Sequence, residues 1–364
     1  MQRPRNDEDV NGQPYKKRKT IQSLLNEPVT PMHFRFLGNT GLKVSVIGLG
    51  GWITFGSQVK YETTLECIRT AVHHGINFFD TAETYAGGQS EIDMGRAIRH
   101  LKLPRKDIVV STKIFWGGKG PNDRGLSRKH VIEGLAASLK RLQLDYVDVV
   151  FAHRPDLDTP MEEIVRAFNW CISKGWALYW GTSEWSSQQI TEAHLIAAKL
   201  GISGPIQPQY NVFHRERVEK EYLSLYSTFH MGVTAWSPLA TGILTGKYNH
   251  GIPEDARLSM RDHPVVNRIR CSLKGEEGLK KLDKVRRLQE IADELNCTTA
   301  QLAIAWCIKN EHVSSVIIGA SRPSQIEQNI KALDVTAKLT PNIVQQIEVI
   351  LENKPEKWFN FRYS

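Results

Sequence analysis

Short apolar runs rich in β-branched residues alternate with helical patterns along most of this chain, and this alternation limits the fold more than any other feature. Eight such runs begin near Val46, Ile76, Ile108, Tyr146, Ala177, Gly204, Gly232 and Val313. The first seven start 27 to 38 residues apart, which leaves room for one strand, one helix and two loops per unit. Strand–helix alternation predicts a parallel sheet, and eight units predict an α/β protein of the (β/α)8, or TIM-barrel, class.

The intervals between the runs favour amphipathic helices. In one of them Val131, Leu135, Leu139 and Leu142 form a single stripe, as expected for a helix packed on a barrel. Helices are predicted at Thr64–His74, Lys129–Leu142, Met161–Lys174, Gln188–Leu200, Leu279–Leu295, Thr299–Asn310 and Asn342–Leu351. A long segment rich in Gly, Pro and charge, Ser237–Gly275, is interpreted as a functional loop between the last two strands.

Two smaller features precede the barrel pattern. Phe34–Leu37 and Lys43–Val46 flank the turn sequence Gly38-Asn-Thr-Gly41 and predict a β-hairpin. Residues 1–31 are polar and poor in large apolar side chains, so we expect a disordered basic tail followed by one barrel domain over 32–364. The basic cluster Lys16–Lys19 in that tail is typical of a solvated segment more often than of a nuclear localisation signal.

Composition excludes several other classes of protein. The net charge of +8 comes from scattered basic residues interleaved with acids, with no nucleic-acid-binding motif, so no nucleic-acid partner is expected. The five cysteines form no CxxC pair, which argues against a disulfide framework and a zinc site. No eighteen-residue apolar run and no secretory leader are found, so we expect a cytoplasmic protein without membrane insertion.

Two apparent nucleotide motifs do not satisfy their own requirements. Gly48 and Gly50 are followed by Ile53 where a dinucleotide fingerprint needs its third glycine. The segment Gly242–Tyr248 is one residue too short for a P-loop and ends in Tyr instead of the Ser or Thr that holds magnesium. We therefore reject both interpretations.

Four polar residues follow predicted strands at the end of a barrel where active sites are built. Asp80 ends the second run, Tyr85 lies in the next loop, and Lys113 and His153 end the third and fourth runs. Each residue alone is more simply explained by packing, a core hydrogen bond or a structural ion pair. Together they suit carbonyl reduction: a tyrosine can supply a proton, an ammonium can lower its pKa, a carboxylate can hold that ammonium, and an imidazole can orient the carbonyl oxygen.

Three segments of this chain resemble the signatures of the aldo-keto reductase superfamily. They are Asp80-Thr-Ala-Glu-Thr-Tyr85 with Gly88-Gln-Ser-Glu91, Val147–Arg154, and Val316–Arg322 with Gln325 and Asn329. The resemblance extends from about Phe34 to Asn353 and is greatest to the voltage-gated potassium channel β subunits and their reductase relatives. It implies a catalytic tetrad of Asp80, Tyr85, Lys113 and His153.

The resemblance also implies an NADP(H) site, with Trp236 stacked on the nicotinamide. The implied cofactor-binding residues are Trp52, Gln58, Asp80, Ser183, Gln207, Trp236, Ser237, Pro238, Leu239, Ala240, Thr241, Lys247, Arg257, Gly319, Ser321, Gln325 and Asn329. The residues themselves support this: Gly319–Ser321 leaves a strand and enters a helix at Pro323, and free N–H groups there would bind phosphate. An arginine near the adenosine ribose favours NADP over NAD.

Two functions remain open at this point. One is NADPH-dependent reduction of a small aldehyde or ketone; the other is a redox-sensing auxiliary subunit bound to a potassium channel α subunit. The resemblance also implies a homotetramer. Three positions depart from the pattern of the relatives, namely Glu184, Asp255 and Gln328, and we expect each to weaken contacts to adenosine. His153 stands where many animal channel β subunits have Asn, which favours the enzyme.

Overall fold

The computed structural model describes residues 31–200, 210–261, 263–356 and 362. The strand predicted near Gly204 and almost all of the predicted disordered tail lie outside these residues. Among the helices that are described, none is both long enough and apolar enough to cross a membrane.

The predicted hairpin is confirmed. Strand β1 (Phe34–Phe36) pairs antiparallel with β2 (Lys43–Ser45), so that Phe34 lies opposite Ser45. Its turn passes close to the barrel: a Cβ on Gly38 would lie 2.7 Å from the backbone nitrogen of Gly232, and Gly38 has a φ of +59°. Only glycine fits this close approach without strain.

Seven parallel strands form a curled sheet in the described part of the chain. They run in the spatial order β7-β6-β5-β4-β3-β9-β8. Their bounds are β3 Ile47–Gly50, β4 Phe78–Asp80, β5 Val109–Ile114, β6 Val147–Ala152, β7 Ala177–Thr182, β8 Val233–Trp236 and β9 Val313–Ile318. Together with the helices and the hairpin, this sheet confirms the predicted class, a (β/α)8 barrel with an N-terminal β-hairpin.

Twelve α-helices lie within the described residues. They are α1 Tyr61–His73, α2 Gln89–His100, α3 Arg128–Leu142, α4 Met161–Ser173, α5 Ser187–Leu200, α6 Leu223–Phe229, α7 Pro264–Ser272, α8 Glu276–Glu294, α9 Thr299–Lys309, α10 Pro323–Ile330, α11 Ala332–Lys338 and α12 Pro341–Leu351. All seven predicted helices are present, with ends within three residues of the prediction. The regular spacing of their apolar residues explains this agreement.

The interpretation of Ser237–Gly275 as a continuous loop is wrong. The segment contains two 3-10 turns, Ala240–Thr245 and Arg257–Ser259, and helix α7. Pro264 occupies the first turn of α7, and the His263 side chain accepts a hydrogen bond from the Val266 amide. A proline at a helix start was thus mistaken for a loop signal.

The barrel interior separates the hairpin from the candidate site. Leu37 and Val44 of the hairpin pack with Phe78, Phe151 and Ile317 in one buried cluster. Because side chains alternate along a strand, Phe78 and Asp80 face the same side of β4, as Val109 and Lys113 do on β5. Each inward row therefore begins as apolar packing near the hairpin and ends in a polar side chain at the opposite mouth.

Candidate active site

Three neighbouring strands bring the predicted tetrad together. Asp80 is the last residue of β4, Lys113 is near the end of β5, and His153 directly follows β6. The parallel pairing places Asp80 beside Ser111 and Lys113 beside Phe151, so these strand ends meet at one edge. The strand-end argument from the sequence is therefore supported by the register of the sheet.

Asp80 and Lys113 form a buried ion pair. The Lys113 Nζ lies 2.6 Å from Asp80 Oδ2 and donates a second hydrogen bond, of 2.8 Å, to the Thr81 carbonyl. The Ser111 hydroxyl donates to the other Asp80 oxygen at 2.6 Å. The two side chains are only 5% and 3% exposed, and burial lowers the pKa of Lys113, against the opposing effect of Asp80. Removing one partner would leave the other charge buried and unpaired.

Tyr85 and His153 complete the tetrad. Tyr85 begins the 3-10 turn Tyr85–Gly88, and its ring centroid lies 4.9 Å from the Lys113 ammonium. The His153 ring meets the Tyr85 ring edge to face, with centroids 5.7 Å apart and an interplanar angle of 73°. All four predicted catalytic side chains therefore contact a common space.

The structure corrects one electrostatic expectation. We expected Lys113 to lower the pKa of Tyr85; instead burial raises that pKa well above its usual value, and the charge of Asp80 adds to the increase. Burial is the largest cause, and Asp80, whose carboxylate lies 2.6 Å from the Lys113 ammonium, acts in the same direction. Tyr85 is therefore a neutral phenol at neutral pH, which is the protonated form that a proton donor requires.

His153 is also uncharged at neutral pH. Burial lowers its pKa well below the usual value, and the nearby cations Lys113 and Arg154 lower it further. Its Nδ1 is buried and has no hydrogen-bond partner among the residues that the structure describes. A neutral imidazole with an unused ring nitrogen can hold a hydrogen-bonding ligand.

Two buried glutamates support the tetrad, and sequence reasoning assigned neither a role. Glu91 accepts hydrogen bonds of 2.5 Å from the Thr112 hydroxyl and from Arg141 Nε. Glu83 accepts from the Phe115 amide at 2.6 Å and contacts His130 Nε2 at 3.2 Å. Both carboxylates fix the end of β5, where Lys113 lies. Their presence within the first signature is the sequence signal that could have assigned them a role.

A cavity of about 490 Å³ runs from the tetrad to the loops that follow β8 and β9. Nearly all of the predicted cofactor-binding residues line it: Trp52, Gln58, Asp80, Ser183, Trp236, Ser237, Pro238, Leu239, Thr241, Lys247, Arg257, Gly319, Ser321, Gln325 and Asn329. Ala240 is buried and does not line the cavity, while Gln207 lies outside the described residues.

The far end of the cavity carries excess positive charge. Burial lowers the pKa of Lys247, the charges of Arg257 and Arg322 lower it further, and Asp255 opposes this effect. Asp255 contacts Arg322 at 3.9 Å. Arg257 donates to the Thr54 hydroxyl at 2.9 Å and has no carboxylate partner within the described ranges, and burial lowers its pKa. This donor set fits an anionic ligand such as a phosphate.

The turn after β9 differs from the prediction of free amides. The Ser321 amide already donates to the Gln325 side-chain oxygen at 2.8 Å, and the Ser321 hydroxyl lies 3.3 Å from the same oxygen. By contrast, the Gln58 Oε1, also on the cavity wall, is buried without a hydrogen-bond partner in the described part of the chain. The cavity thus fits a dinucleotide in size and charge, with Gln325 as a competitor for one amide.

Comparison with known proteins agrees with this geometry. The family model described as "Aldo/keto reductase family" matches residues 46–352. The chain belongs to the aldo/keto reductase family. This membership supports an oxidoreductase activity, and members of the family generally use NAD(P)H.

Three curated relatives of this aldo/keto reductase share about half of its residues. Proteins named "Probable voltage-gated potassium channel subunit beta" are 54% identical in Arabidopsis thaliana and 52% identical in Oryza sativa subsp. japonica, each over 91% of this chain and 100% of the relative. A protein of Schizosaccharomyces pombe named "Putative voltage-gated potassium channel subunit beta" is 51% identical over 88% of this chain and 94% of its own length. The resemblance inferred from the motifs is confirmed.

The aldo/keto reductase site also contains residues that sequence reasoning did not assign. The largest omission is Arg154, which directly follows His153 and could have been found by the same strand-end rule. Others on the wall come from two strand ends and from turns and helix starts, which the sequence alone does not bring together: Gly50, Ile317 and Ile318 from strands, and Gly242, Thr245, Pro253, Ala256, Thr298, Ala300 and Arg322 from turns and helix starts.

Glu184 has a structural partner that the sequence did not reveal. It does not line the cavity, whereas the other two departures, Asp255 and Gln328, do. Glu184 Oε1 accepts a 3.1 Å hydrogen bond from the Trp236 indole, and Oε2 lies 3.4 Å from Arg217. Glu184 therefore holds the Trp236 indole from a position off the cavity wall.

Proposed function

We propose that this aldo/keto reductase reduces aldehydes or ketones to alcohols with NADP(H), and that Tyr85 is the proton donor. The observation that carries the proposal is a cluster of buried Asp80, Lys113 and His153 with half-buried Tyr85, on the wall of a cavity whose far end is cationic. A reducible carbonyl beside Tyr85 and a phosphate-bearing cofactor along the rest of the cavity would use both features.

The residues of this chain divide the work as follows. Trp52, Ser183, Trp236 and Asn329 would hold the nicotinamide half, and Lys247 and Arg257 the adenosine phosphates. When bound, NADPH supplies the hydride for the carbonyl carbon. Tyr85 Oη gives its proton to the carbonyl oxygen, while the uncharged His153 donates a hydrogen bond that orients this oxygen. The Lys113 ammonium, fixed by Asp80, stabilises the tyrosinate that remains.

A preference for NADP(H) over NAD(H) follows from the unpaired charge at the far end. A 2′-phosphate would give Arg257 the anionic partner that the described residues do not supply. Titration with each cofactor, followed by tryptophan fluorescence, measures this preference directly. Equal affinities, or tighter binding of NAD(H), would contradict this part of the proposal.

The activity is tested with a panel of aldehydes and ketones, following the absorbance of NADPH. The Tyr85→Phe variant is the control, because the substitution removes a single oxygen while the ring still fills its space. Turnover of at least one carbonyl by the wild type, abolished in Tyr85→Phe, is the expected result. NADPH binding without turnover of any carbonyl would refute the catalytic proposal.

The names of the relatives support a second proposal. Three proteins named as potassium channel β subunits match nearly their full lengths, so this chain would act as a cytosolic auxiliary subunit and form a homotetramer. A bound NADP(H) would then report the redox state to a channel α subunit. Co-sedimentation with membranes from the native cell, compared before and after a high-salt wash, tests this, and the mass in solution tests the tetramer.

A further inference from the structure

Arg154 is a cation at the tetrad that the mechanism above does not use. Its Nη1 donates to the carbonyl oxygen of His153 at 2.5 Å and lies 3.5 Å from the Ser183 hydroxyl. Both acceptors are uncharged. No carboxylate in the described ranges lies within 4.0 Å of its guanidinium, although the side chain is half-buried on the cavity wall.

The charges of the site therefore do not balance. Asp80 and Lys113 offset one another, and Tyr85 and His153 are neutral at neutral pH, which leaves Arg154 as the excess positive charge. The charge of Arg154 acts on all of the proton-carrying groups: it opposes the rise that burial causes in the pKa of Tyr85, and it adds to the lowering that burial causes in the pKa of Lys113 and of His153. Burying a cation without a counter-ion is costly, and an anionic ligand would remove that cost.

We infer that Arg154 makes this site selective for carbonyl substrates that carry a carboxylate near the reacting group. The inference rests on the proposed function and names its substrate class. A carbonyl within reach of Tyr85 and His153 would lie near Arg154, because all three side chains line the same cavity and the charge of Arg154 acts on both Tyr85 and His153. A guanidinium has five N–H donors, only one nitrogen of Arg154 is used by the protein, and its planar fork matches a carboxylate.

The cofactor does not provide an alternative partner at this end. The phosphates would be bound by the cationic group of Lys247, Arg257 and Arg322, in which burial lowers the pKa of Lys247 and the charges of the two arginines lower it further. Arg154 is not among the groups that act on Lys247, and it acts on the tetrad instead. The anion that satisfies Arg154 therefore belongs to the substrate.

The test compares two aldehydes of similar reactivity, 4-carboxybenzaldehyde and methyl 4-formylbenzoate, which differ in charge; 3-carboxybenzaldehyde and its methyl ester vary the distance to the charge. For one of these pairs we expect the wild type to show at least tenfold higher kcat/KM for the acid, mainly through KM. Arg154→Gln should reduce this acid-to-ester ratio to about one, and Arg154→Lys should restore part of it. Tenfold is the lower scale for one charge-assisted hydrogen bond.

Arg261→Gln is the matched control, because Arg261 is an exposed arginine that does not line the cavity. It should leave the acid-to-ester ratio within about twofold of the wild type. A wild-type ratio near one for both pairs, or the same ratio in Arg154→Gln, would overturn the inference while turnover of the esters keeps the proposed reductase activity intact.

A binding measurement separates failure of the inference from failure of the proposed function. The compound 4-carboxybenzyl alcohol carries the carboxylate but has no aldehyde to be reduced. Its binding in the presence of NADPH can be followed by tryptophan fluorescence. If no aldehyde is reduced, the reductase proposal fails; binding of this alcohol that is lost in Arg154→Gln would still support an anion site. Equal binding of 4-carboxybenzyl alcohol by the wild type and by Arg154→Gln, or binding by neither protein, would overturn the inference on Arg154.

Discussion

The two ends of the cavity are built from different parts of the barrel. At one end, Asp80, Lys113 and His153 are placed by adjacent parallel strands, and the Asp80–Lys113 pair is almost fully buried. At the other end, Lys247, Arg257 and Arg322 come from turns and from the residue before α10, and Arg322 is 61% exposed. The strand-built end contains the satisfied Asp80–Lys113 pair beside the cation Arg154, whereas at the loop-built end three cations lie near one acid, Asp255.

Under the proposed function, this difference assigns the chemistry to one end of the cavity and cofactor binding to the other. Strand positions are fixed by register, and a one-residue slip would turn a side chain to the other face, so the tetrad tolerates little change. Loop positions tolerate substitution, and their charges determine which ligand binds and how tightly. We therefore expect changes in the tetrad to affect mainly turnover, and changes at the loop-built end to affect mainly cofactor affinity.

The largest effect is expected at Tyr85. Tyr85→Phe should reduce carbonyl reduction at least 10²-fold, the lower range for loss of a general acid, with little change in cofactor affinity or melting temperature. Lys113→Met should be similarly damaging, and the two losses should not add, because both act on one proton transfer. Steady-state kinetics of both variants and of the double variant measure this. Near-normal turnover in Tyr85→Phe would refute the assignment.

The next effect tests the loop-built end. Arg257→Ala should weaken NADP(H) binding by about 1.5–3 kcal/mol, the usual scale for a charge-assisted contact, and leave NAD(H) binding nearly unchanged. Fluorescence titration gives both affinities. Arg261→Ala, at an exposed arginine four residues further along that is not on the cavity wall, is the matched control and should have no effect. An equal loss of affinity for NADP(H) and NAD(H) would show that Arg257 does not contact the 2′-phosphate.

The pH dependence of the unfolding free energy tests His153 at the strand-built end. Burial holds the pKa of His153 in the folded protein well below 6.5. As the pH falls below about 6.5, the unfolded chain therefore binds a proton at this histidine that the folded chain does not bind, and acid destabilises the fold. The His153 imidazole should lower the free energy of unfolding by up to about 1.4 kcal/mol per pH unit below pH 6.5, and should leave it unchanged above that pH. His153→Asn should flatten the slope of unfolding free energy between pH 7 and 5. His250→Asn, at an exposed histidine, should leave it unchanged; identical slopes in all three proteins would contradict the prediction.

Glu184 sharpens the comparison, because it connects the end of β7 to Trp236 at the end of β8. Glu184→Ala should weaken cofactor binding by about 1 kcal/mol, the scale of one hydrogen bond, through loss of the indole contact. Glu184→Gln keeps an acceptor oxygen and should lose less. Fluorescence of the cofactor-free protein should also change in the alanine variant; unchanged affinity in both variants would show that Trp236 needs no support from Glu184.

The smallest effect is expected for the N-terminal segment. A chain that begins at Met32 should keep its turnover and its melting temperature, because the sequence before it offers little apolar surface for packing. Kinetics and thermal unfolding of the truncated chain provide the measurement. A large loss of either property would mean that a third region contributes to the barrel.

Sequence periodicity determined most of the architecture, and strand ends together with the family resemblance predicted the tetrad. The spacing of apolar residues located the helices to within three residues, and the strand ends located Asp80, Lys113 and His153. These signals are local: they act over one strand or a few helical turns. The role of Pro264 as a helix start was missed, because a proline marks both loops and helix starts.

Only the tertiary structure determined the electrostatics and the long-range contacts. Burial raises the pKa of Tyr85, whereas a nearby lysine alone suggested the opposite direction. The contacts of Glu184 with Trp236, 52 residues later, and with Arg217 depend on how separate units of the barrel meet. Desolvation and Coulomb energies depend on every neighbour in three dimensions, and no pattern along the chain contains that information.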